Sequence, residues 1–478
     1  MTKTSIKNLA IAIISFLSLN SCFAQKEVKK TPPNVIVIVA DDMNMWSMLK
    51  DYAPLQTPYL DKLKSESLYF ENASCAAPVC IPSRASFFSG ISPSETGAYL
   101  NNRETWENSM LSDIKVMPET FKENGYTTWG RGKIFHAPIN GGRQKEMFDN
   151  EVVEGGFGPF AKKEYHYAKS KWFSIKPWTG PDTDFPDVTN ANAAISFLEE
   201  SHDKPFFLYY GLYRPHTPYT APKRFYDLYK DADITMAPGY LPGDLDDVPI
   251  QGRQLVDSLK QYHKDGLTKK EVLLDMVKGY CANYSFADWN IGRLIEALDK
   301  SKYAENTIIV FYSDNGFHNG TKDHWVKSTL WEQADNVPFL IRLPEKMKGK
   351  RSQTVSLLDV YPTLVDYCEI EKPAHEFSGK SIMPVFEDPD YEWNRPGLTF
   401  YGANYSSVRN NRYRYIQYPD GSEELYDHEN DPYEHKNLAQ DSKFEAIKKE
   451  LSQNIPEKFA ESIGGRRERT ASDVSNED

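Results

Sequence analysis

Three runs rich in hydrophobic residues occur along the chain, at residues 34–40, 205–210 and 307–312. Their hydrophobic positions are consecutive instead of alternating with polar ones, so each run is expected to be buried on both faces. Strands of this kind are typical of a parallel sheet that is covered by helices. A shorter strand-like segment occurs at residues 126–129. The pattern predicts an α/β fold with a large, mostly parallel central sheet.

Polar side chains follow each of the three runs, in the second case in the loop into which the run leads. In an open α/β sheet, ligands bind beyond the carboxyl ends of the strands, so polar groups at these ends are expected to converge on one site. The residues at these positions are, in chain order, Asp41 and Asp42, then Arg214 and His216, then Asp314 and Asn315.

Between the second and third runs, hydrophobic residues recur with helical spacing. Ile291, Leu294, Ile295 and Leu298 stand at positions i, i+3, i+4 and i+7, with charged residues between them. This spacing predicts an amphipathic helix that packs one face on the sheet.

The pattern changes near residue 388. Residues 411–418 are rich in Tyr and Arg with a period of two, and the turn-forming residues 419–422 follow them, which predicts hairpins. We therefore expect a main domain over residues 25–387 and a smaller antiparallel unit over residues 388–460. The remaining residues, 461–478, are expected to be disordered.

The N-terminus has the pattern of a targeting segment. Two lysines precede a hydrophobic run at residues 9–19, which is too short for a membrane span. Cleavage after Ala24 would make residues 1–24 a signal peptide and release a periplasmic or secreted protein. Residues 19–22 also resemble a bacterial lipobox, in which Cys22 would be acylated and would anchor the protein, for example at the outer membrane. Both outcomes predict an exported protein.

Charge narrows the choice of partner. The chain has 56 basic and 68 acidic residues, a formal net charge of −12. Its overall field repels polyanions, which argues against a nucleic-acid partner. An anionic substrate would therefore need a local cluster of Lys and Arg. Aromatic residues make up 13% of the chain, and although most are expected to be packed in the core, some suit stacking on sugars.

The acidic residues at the strand ends are candidate metal ligands. Asp41, Asp42, Asp314 and Asn315 all offer oxygen atoms. Carboxylate and amide oxygens suit Ca²⁺ or Mg²⁺, whereas zinc prefers His and Cys. A single Asp pair after a strand is often only part of a loop, but two clusters at two strand ends favour a metal site.

Cys80 lies in an unusual setting, because Pro82 and Arg84 follow it closely. The chain has five cysteines and no Cys-x-x-Cys pair, which argues against structural zinc and thioredoxin-like chemistry. Further candidate groups are the basic residues Lys133 and Lys327, which together with Arg84 could hold an anion, and the acid/base candidates His136 and His216.

The segment from Cys80 to Gly90 closely resembles the signature of the type I sulfatases, a family in which this cysteine is oxidised after translation to the aldehyde formylglycine. The resemblance extends in order over nearly the whole chain. It implies an alkaline-phosphatase-like fold, a main domain that is catalytic, and a formylglycine-generating or sulfatase-maturating enzyme as partner. The other matching segments are residues 33–42, 132–136, 313–316, 325–327 and 424–438.

Within this family, the spacing of Lys133 and His136 is similar to that of the iduronate-2-sulfatase branch, as is the segment from Arg214 to Tyr219. The chain departs from that branch at Asn315, where the branch has His, and from the usual family pattern at Ser89, which replaces Thr. The reaction is therefore expected to carry over, while the identity of the sugar is left open.

The resemblance implies a role for each candidate. A hydrated formylglycine made from Cys80 would attack sulfur and be sulfated, and its second hydroxyl would then expel sulfate. Arg84 would hold this residue, and the two lysines would neutralise the sulfate oxygens. His136 would assist the elimination and His216 would act as general acid. The implied metal ligands are Asp41, Asp42, Cys80, Asp314 and Asn315, and the implied substrate contacts are Lys133, His216, Lys327 and Arg214.

A sulfated glycan is the expected substrate, with a 2-O-sulfated uronic acid or pentose favoured and glycosaminoglycan fragments or ulvan as candidates. Arg214, Lys223 and Arg224 could meet a sugar carboxylate. Two alternatives are a phosphonate or phosphate-ester hydrolase of the same fold, and an unmatured, non-catalytic glycan-binding lipoprotein.

Overall fold

The structure is a computed structural model that describes residues 32–107, 110–136, 139, 142–256, 259–262 and 269–464. The predicted signal peptide, Cys22 and residues 465–478 lie outside the described residues. The strands are β1 Asn34–Asp41, β2 Leu68–Ser74, β3 Thr127–Gly132, β4 His166–Tyr167, β5 Ser170–Trp178, β6 Phe206–Pro215, β7 Tyr219–Pro222, β8 Thr307–Ser313, β9 Phe339–Arg342, β10 Gly349–Ser356, β11 Gly397–Phe400, β12 Ser406–Arg409, β13 Tyr413–Gln417 and β14 Glu423–Asp427.

Seven of these strands form the central sheet, in the order β10-β2-β9-β8-β1-β6-β3. All neighbouring pairs are parallel except those made by β9, which runs antiparallel to both β2 and β8. The three long hydrophobic runs are the adjacent strands β8, β1 and β6, and the segment at 126–129 lies in β3 beside them. The predicted large, mostly parallel sheet is confirmed.

The consecutive hydrophobic residues of β1 are explained by two cores. Ile36 and Ile38 point to one side of the sheet, where they join the core that contains Leu294. Val35 and Val37 point to the other side, where they join the core that contains Phe87. Burying each such side chain contributes roughly 1.5–3 kcal/mol, so a polar residue at any of these positions would be costly.

Helices cover both faces. The predicted amphipathic pattern at 291–298 lies in the longest described helix, α10. The helices are α1 Trp46–Leu49, α2 Pro58–Ser65, α3 Cys80–Ser89, α4 Pro93–Thr96, α5 Met117–Glu123, α6 Arg143–Met147, α7 Pro186–Glu199, α8 Lys223–Asp227, α9 Ile250–Arg253, α10 Lys269–Lys300, α11 Glu332–Asp335, α12 Val360–Tyr367, α13 Met383–Glu387 and α14 Glu445–Ser452. Among the described residues, these helices include none with both the length and the apolar character that crossing a bilayer requires.

Two smaller sheets accompany the central one. Strands β11 to β14 form a four-stranded antiparallel sheet, in which β13 and β14 are the predicted hairpin. Strands β4, β5 and β7 form a three-stranded sheet. The chain is also ordered beyond the expected boundary at 461, because the Ile463 amide donates to the Gly97 carbonyl and Asn102 donates to the Ile463 carbonyl. The predicted disordered tail therefore cannot begin before residue 464.

Candidate active site

The candidate residues meet at the carboxyl edge of four neighbouring strands. Asp41 is the last residue of β1, and Asp314 directly follows β8. Lys133 directly follows β3, and His216 directly follows β6. Because these strands are parallel and adjacent, their ends lie side by side, as the sequence predicts.

Cys80 approaches the same edge from a helix. It is the first residue of α3, and the backbone amide of the next residue, Ile81, donates to Asn101 Oδ1 at 2.9 Å. Arg84 is four residues later, so it lies on the same face of the helix as Cys80. Ser83 does not cap this helix: its hydroxyl donates to the Asp314 carbonyl, while Val79 occupies the N-cap position.

Cations and carboxylates alternate around the thiol. Lys133 Nζ lies 2.5 Å from Asp41 Oδ2, and Lys327 Nζ lies 2.5 Å from Asp42 Oδ1. Lys327 Nζ also donates to Cys80 Sγ at 3.2 Å, and Cys80 Sγ is 3.5 Å from Asp41 Oδ1. Burial, reinforced by Asp41, raises the pKa of the Cys80 thiol to about 12. In this state the cysteine is a neutral thiol and therefore a poor nucleophile.

Arg84 holds the next carboxylate. Its Nε donates to Asp314 Oδ2 at 2.9 Å, and its Nη1 donates to the carbonyls of Lys133 at 2.7 Å and Ile134 at 2.9 Å. The side chain is completely buried. One guanidinium therefore links α3, the segment after β3 and the segment after β8, which fixes the relative positions of Cys80, Lys133 and Asp314.

The donor set fits a hard divalent cation. One atom each from Asp41, Asp42, Cys80 and Asp314 lies within 4.8 Å of all the others. Asn315 donates through Nδ2 to Asp42 Oδ1 at 2.7 Å, while its buried Oδ1 has no hydrogen-bond partner among the described residues. A buried amide oxygen without a donor is costly unless a ligand satisfies it. Carboxylates plus this oxygen match the preference of Ca²⁺ or Mg²⁺.

The two histidines are partly buried and favour the neutral form. Burial lowers the pKa of His216, and the Asp42 carboxylate, 3.6 Å from its Nε2, opposes this effect. His216 Nδ1 lies 2.6 Å from the Thr217 carbonyl, so Nδ1 is the protonated nitrogen and Nε2 faces the carboxylates. Burial and the nearby Lys133 lower the pKa of His136 well below its usual value. Its Nδ1 has no partner within the described part of the chain.

Comparison with known proteins decides the family. A family model described as "Sulfatase" matches residues 33–370, which is most of the chain. The chain belongs to the sulfatase family. A second model, described as "N-sulphoglucosamine sulphohydrolase, C-terminal", matches residues 320–461 of this sulfatase. It is thus a sulfuric ester hydrolase, as the motifs predict.

Several curated relatives resemble this sulfatase over most of its length. A sulfatase of Formosa agariphila is 34% identical, covering 94% of this chain and 90% of the relative. An ulvan-active sulfatase of the same organism is 28% identical, with 96% and 88% covered. Iduronate 2-sulfatase of Homo sapiens is 30% identical, with 74% and 66% covered.

Solved structures support the fold. A structure in complex with its substrate D-glucosamine-2-N,6-O-disulfate has a TM-score of 0.71 at 20% identity, covering 88% of this chain and 96% of that chain. A phosphonate monoester hydrolase of Agrobacterium radiobacter also has a TM-score of 0.71, at 18% identity, with 88% and 94% covered. The sulfatase has the expected alkaline-phosphatase-like fold, with the small antiparallel sheet beside the large one.

Three basic residues that were expected to meet a sugar carboxylate have other partners. Arg214 is buried, and its guanidinium donates to the Phe157 carbonyl at 3.0 Å and to the Thr220 hydroxyl and carbonyl at 3.2 and 3.3 Å. The buried guanidinium of Arg214 instead joins the segment at Phe157 to β7, so the predicted substrate contact is not supported. Lys223 pairs with Asp227, and Arg224 pairs with Asp182, on the exposed surface.

Sequence reasoning missed an aromatic group at the site. The ring of Phe157 lies 4.6 Å from the His216 ring and 5.0 Å from Lys133 Nζ, and its centroid is 5.9 Å from the His136 ring. Trp172 lies edge-on to His216 at 6.1 Å. Both rings come from segments without a motif, and only the run of glycines and proline around Phe157 signals a turn there. The rings form an apolar wall beside both candidate acid/base groups.

Proposed function

We propose that this sulfatase is an exported enzyme that removes sulfate esters from a sulfated glycan, with formylglycine made from Cys80 as its nucleophile. The observation that carries the proposal is the environment of Cys80. A buried thiol with a raised pKa lies between Lys327 and Asp41, in a cluster whose charges and lone pairs suit a cation and an anion together.

The need for maturation follows from the poor reactivity of the thiol. Formylglycine, as its hydrate, would supply a hydroxyl nucleophile at the same position. Position 80 is the first residue of α3, so a hydroxyl there would face the ends of β1 and β8. Maturation would need a formylglycine-generating or sulfatase-maturating enzyme as partner.

The charge balance of the cluster supports a bound divalent cation, with Ca²⁺ favoured and Mg²⁺ the alternative. The carboxylates of Asp41, Asp42 and Asp314 face the cations of Arg84, Lys133 and Lys327, so the cluster is neutral as it stands. Asp41, Asp42, Asp314 and Asn315 would hold the cation beside residue 80. It would supply Lewis-acid polarisation of a sulfate oxygen and a lowered pKa for the attacking hydroxyl. A cation would also give the cluster a net positive charge, which favours an anionic ester.

The lysines would neutralise charge on the sulfate, and the histidines would transfer protons. Lys133 and Lys327 lie on either side of Cys80 and, once released from the carboxylates, would neutralise sulfate oxygens as charge builds up, each contact contributing about 3 kcal/mol. His216 would protonate the leaving oxygen. Its pKa is lowered by burial, and a bound sulfate ester next to the ring would raise it again. His136, held neutral, would accept a proton during sulfate release.

A sulfated sugar is the substrate class that we propose, with a 2-O-sulfated uronic acid or pentose favoured. The relatives include an ulvan-active sulfatase and iduronate 2-sulfatase. The half-buried rings of Phe157 and Trp172 beside His216 offer an apolar wall against which a sugar ring can pack. A sugar alkoxide is a poor leaving group, which gives a general acid at this position a clear task.

The proposed location rests on the N-terminal pattern. The lysines before the hydrophobic run and the site after Ala24 support export to the periplasm, and Cys22 supports a lipid anchor as the second outcome.

The second candidate function is hydrolysis of phosphonate or phosphate esters. The similarity in fold to a phosphonate monoester hydrolase favours this candidate, because the same cluster could hold a phosphonate ester. Matched 4-nitrophenyl sulfate and 4-nitrophenyl phenylphosphonate separate the two: a sulfatase prefers the sulfate, and a preference for the phosphonate would replace the proposal.

The test of the substrate class is sulfate release from a panel of defined oligosaccharides that differ in the sulfated position and in the sugar. We expect sulfate release from a 2-O-sulfated uronic acid or pentose. Placing this sugar at the end of some oligosaccharides and inside others also shows whether the enzyme acts on terminal or internal residues. If no glycan releases sulfate while an aryl sulfate is turned over, the proposed glycan substrate is rejected and the sulfatase activity is retained.

A further inference from the structure

One surface segment has a charge opposite to that of the whole protein. Residues 160–178, here called the basic hairpin, contain five lysines and a single acidic residue, Glu164. The whole chain carries a formal net charge of −12. The basic hairpin consists of a 3-10 turn at Lys163–Tyr165 followed by β4 and β5, with Lys169 in the tight turn between the two strands.

Three lysines of the basic hairpin have no acidic partner among the described residues. Lys162, Lys163 and Lys169 are exposed, and no described carboxylate lies within salt-bridge distance of them. By contrast, exposed lysines such as Lys223 and Lys350 pair with Asp227 and Glu71. Solvated lysines without partners are common, so their exposure alone decides nothing. Their connection to the catalytic residues is the second observation.

The sheet that carries the basic hairpin is joined directly to the catalytic loop. Strand β7 begins at Tyr219, three residues after His216, and it pairs in parallel with β5 so that Tyr219 lies opposite Ile175. Extending this register back by three residues sets Trp172 level with His216. The 6.1 Å distance between the two rings agrees with this register.

Aromatic rings continue from His216 towards the lysines. Phe160 lies edge-on to Trp172 at 5.2 Å, and Lys171 Nζ lies 5.7 Å from the Phe160 ring and 5.9 Å from the Trp172 ring. Further along β5, Lys176 Nζ stands 4.0 Å above the Tyr165 ring and donates to its hydroxyl at 2.9 Å. The surface next to the candidate general acid thus alternates rings and cations.

We propose that the basic hairpin is an anion-binding surface for sulfate or carboxylate groups that lie further along the same glycan chain than the ester being cleaved. This inference rests on the proposed function. The rings can pack against sugar faces, and the lysines meet the charges that each sugar carries. Because the chain as a whole carries a net negative charge, the basic hairpin also orients the glycan towards His216. The enzyme is thereby selective for multiply charged oligosaccharides.

The test is a charge-removal variant, Lys162→Gln with Lys163→Gln and Lys169→Gln, chosen because all three side chains are exposed and the fold does not depend on them. The probes are a tetrasaccharide with one sulfate on each sugar and 4-nitrophenyl sulfate. We expect the ratio of kcat/KM for the tetrasaccharide to that for the aryl sulfate to fall about tenfold, mainly through KM. The tetrasaccharide kcat/KM of the wild type should also fall more steeply with NaCl than that of the variant.

The matched control removes three exposed lysines of the C-terminal unit that have no acidic partner among the described residues. The control variant, Lys443→Gln with Lys449→Gln and Lys458→Gln, has the same net charge as the test variant and should keep the wild-type ratio and salt dependence. The inference would be overturned if the test variant kept the wild-type ratio of kcat/KM values. It would also be overturned if this ratio fell as much in the control variant as in the test variant.

A further arm separates this inference from the proposed function. The tetrasaccharide is titrated calorimetrically into the Cys80→Ala protein with and without the three hairpin substitutions. Weaker binding in the substituted protein supports the basic hairpin even if the wild type releases no sulfate, an outcome that would reject only the proposed function. Equal tetrasaccharide binding by the two proteins would reject the basic hairpin as a binding surface, even if the wild type is an active sulfatase.

Discussion

Two clusters of buried charge lie at different places in this sulfatase, and they differ in how completely their atoms are paired. The catalytic cluster surrounds Cys80 at the carboxyl edge of the central sheet. The second, here called the Arg414 cluster, lies between the C-terminal sheet and α11. Its members are Arg414, Glu332, Asp335, Glu434, Arg409 and His428.

In the Arg414 cluster every nitrogen of the central guanidinium donates a hydrogen bond. Its Nε donates to Glu434 Oε1 at 2.6 Å, its Nη1 donates to Ser407 Oγ at 2.7 Å and to Asp335, and its Nη2 donates to Glu332. With three carboxylates around one buried arginine, each of its three nitrogens has an acceptor. Such a network stabilises the fold only while it is complete.

In the catalytic cluster, by contrast, some buried polar atoms have no hydrogen-bond partner among the described residues. Asn315 Oδ1 and His136 Nδ1 have no partner in the described ranges, and the Cys80 thiol has a raised pKa. Proximity alone does not make this distinction: Glu332, His428 and Glu434 also come close enough together to hold a metal ion. There, however, Arg414 already bonds to both glutamates. Between these two clusters, buried polar atoms without a partner distinguish the catalytic one, whereas acidic composition does not.

Removal of the proposed nucleophile should give the largest effect. Cys80→Ala removes one buried sulfur and should reduce kcat/KM for 4-nitrophenyl sulfate by at least about 1000-fold, because the covalent route is lost. The melting temperature should change little, since alanine suits the first turn of α3. The measurement is sulfate release alongside a thermal melt. Full sulfate release by Cys80→Ala would reject residue 80 as the nucleophile.

The Arg414 cluster should respond in the opposite way. Arg414→Met removes the cation that Glu332, Asp335 and Glu434 share, leaving Arg409 and His428 to face them, and should lower the free energy of unfolding by about 3–5 kcal/mol. The kcat of the protein that stays folded should be nearly unchanged. Urea denaturation and active-site titration measure the two effects.

Arg412→Met is the matched control. Arg412 is partly exposed and pairs with Asp427 and Glu429 in contact with solvent, so its replacement should lower the free energy of unfolding far less than Arg414→Met does. If Arg414→Met abolished kcat in folded protein without loss of stability, the division between the two clusters would be wrong.

Metal binding offers a readout that does not depend on turnover. Adding Ca²⁺ to chelator-treated protein at 100 times its Kd should raise the free energy of unfolding by about 2.7 kcal/mol. Asn315→Ala removes the unpaired oxygen and should reduce this increment. Asn437→Ala, in the C-terminal unit, should lower the starting stability and keep the increment. An unchanged increment in Asn315→Ala would remove this residue from the ligand set.

The smallest effect concerns the proton donor. His216→Gln should reduce turnover of a sugar sulfate about tenfold more than turnover of 4-nitrophenyl sulfate, because only the sugar alkoxide needs protonation as it leaves. Parallel kcat measurements on the two substrates provide the comparison. Equal losses on both would count against His216 as the acid.

The sequence predicted the parts of this molecule that are carried by local patterns. The consecutive hydrophobic residues of β1, β6 and β8 predicted a doubly covered parallel sheet, and the polar residues after them predicted one convergent edge. Short motifs pointed to Cys80 and its neighbours.

What the sequence could not reveal depends on contacts between distant segments. Arg414 meets residues about 80 positions earlier in the chain, and Trp172 reaches His216 only through the pairing of β5 with β7. Arg214 looked available for a substrate, but one of its partners, the Phe157 carbonyl, comes from a separate loop. No spacing rule encodes such pairings, since each depends on how whole elements pack.

The most direct test of the central claim is the chemical identity of residue 80 in protein from the native host. The peptide that contains this position is analysed by mass spectrometry, with and without an aldehyde-reactive hydrazide, and the modified fraction is compared with specific sulfatase activity. We predict that residue 80 has lost its sulfur and reacts with the hydrazide. The modified fraction should rise in proportion to specific activity across preparations. An unmodified cysteine in fully active protein would contradict the account, and an unmodified cysteine in inactive protein that binds glycan would favour a non-catalytic binding protein.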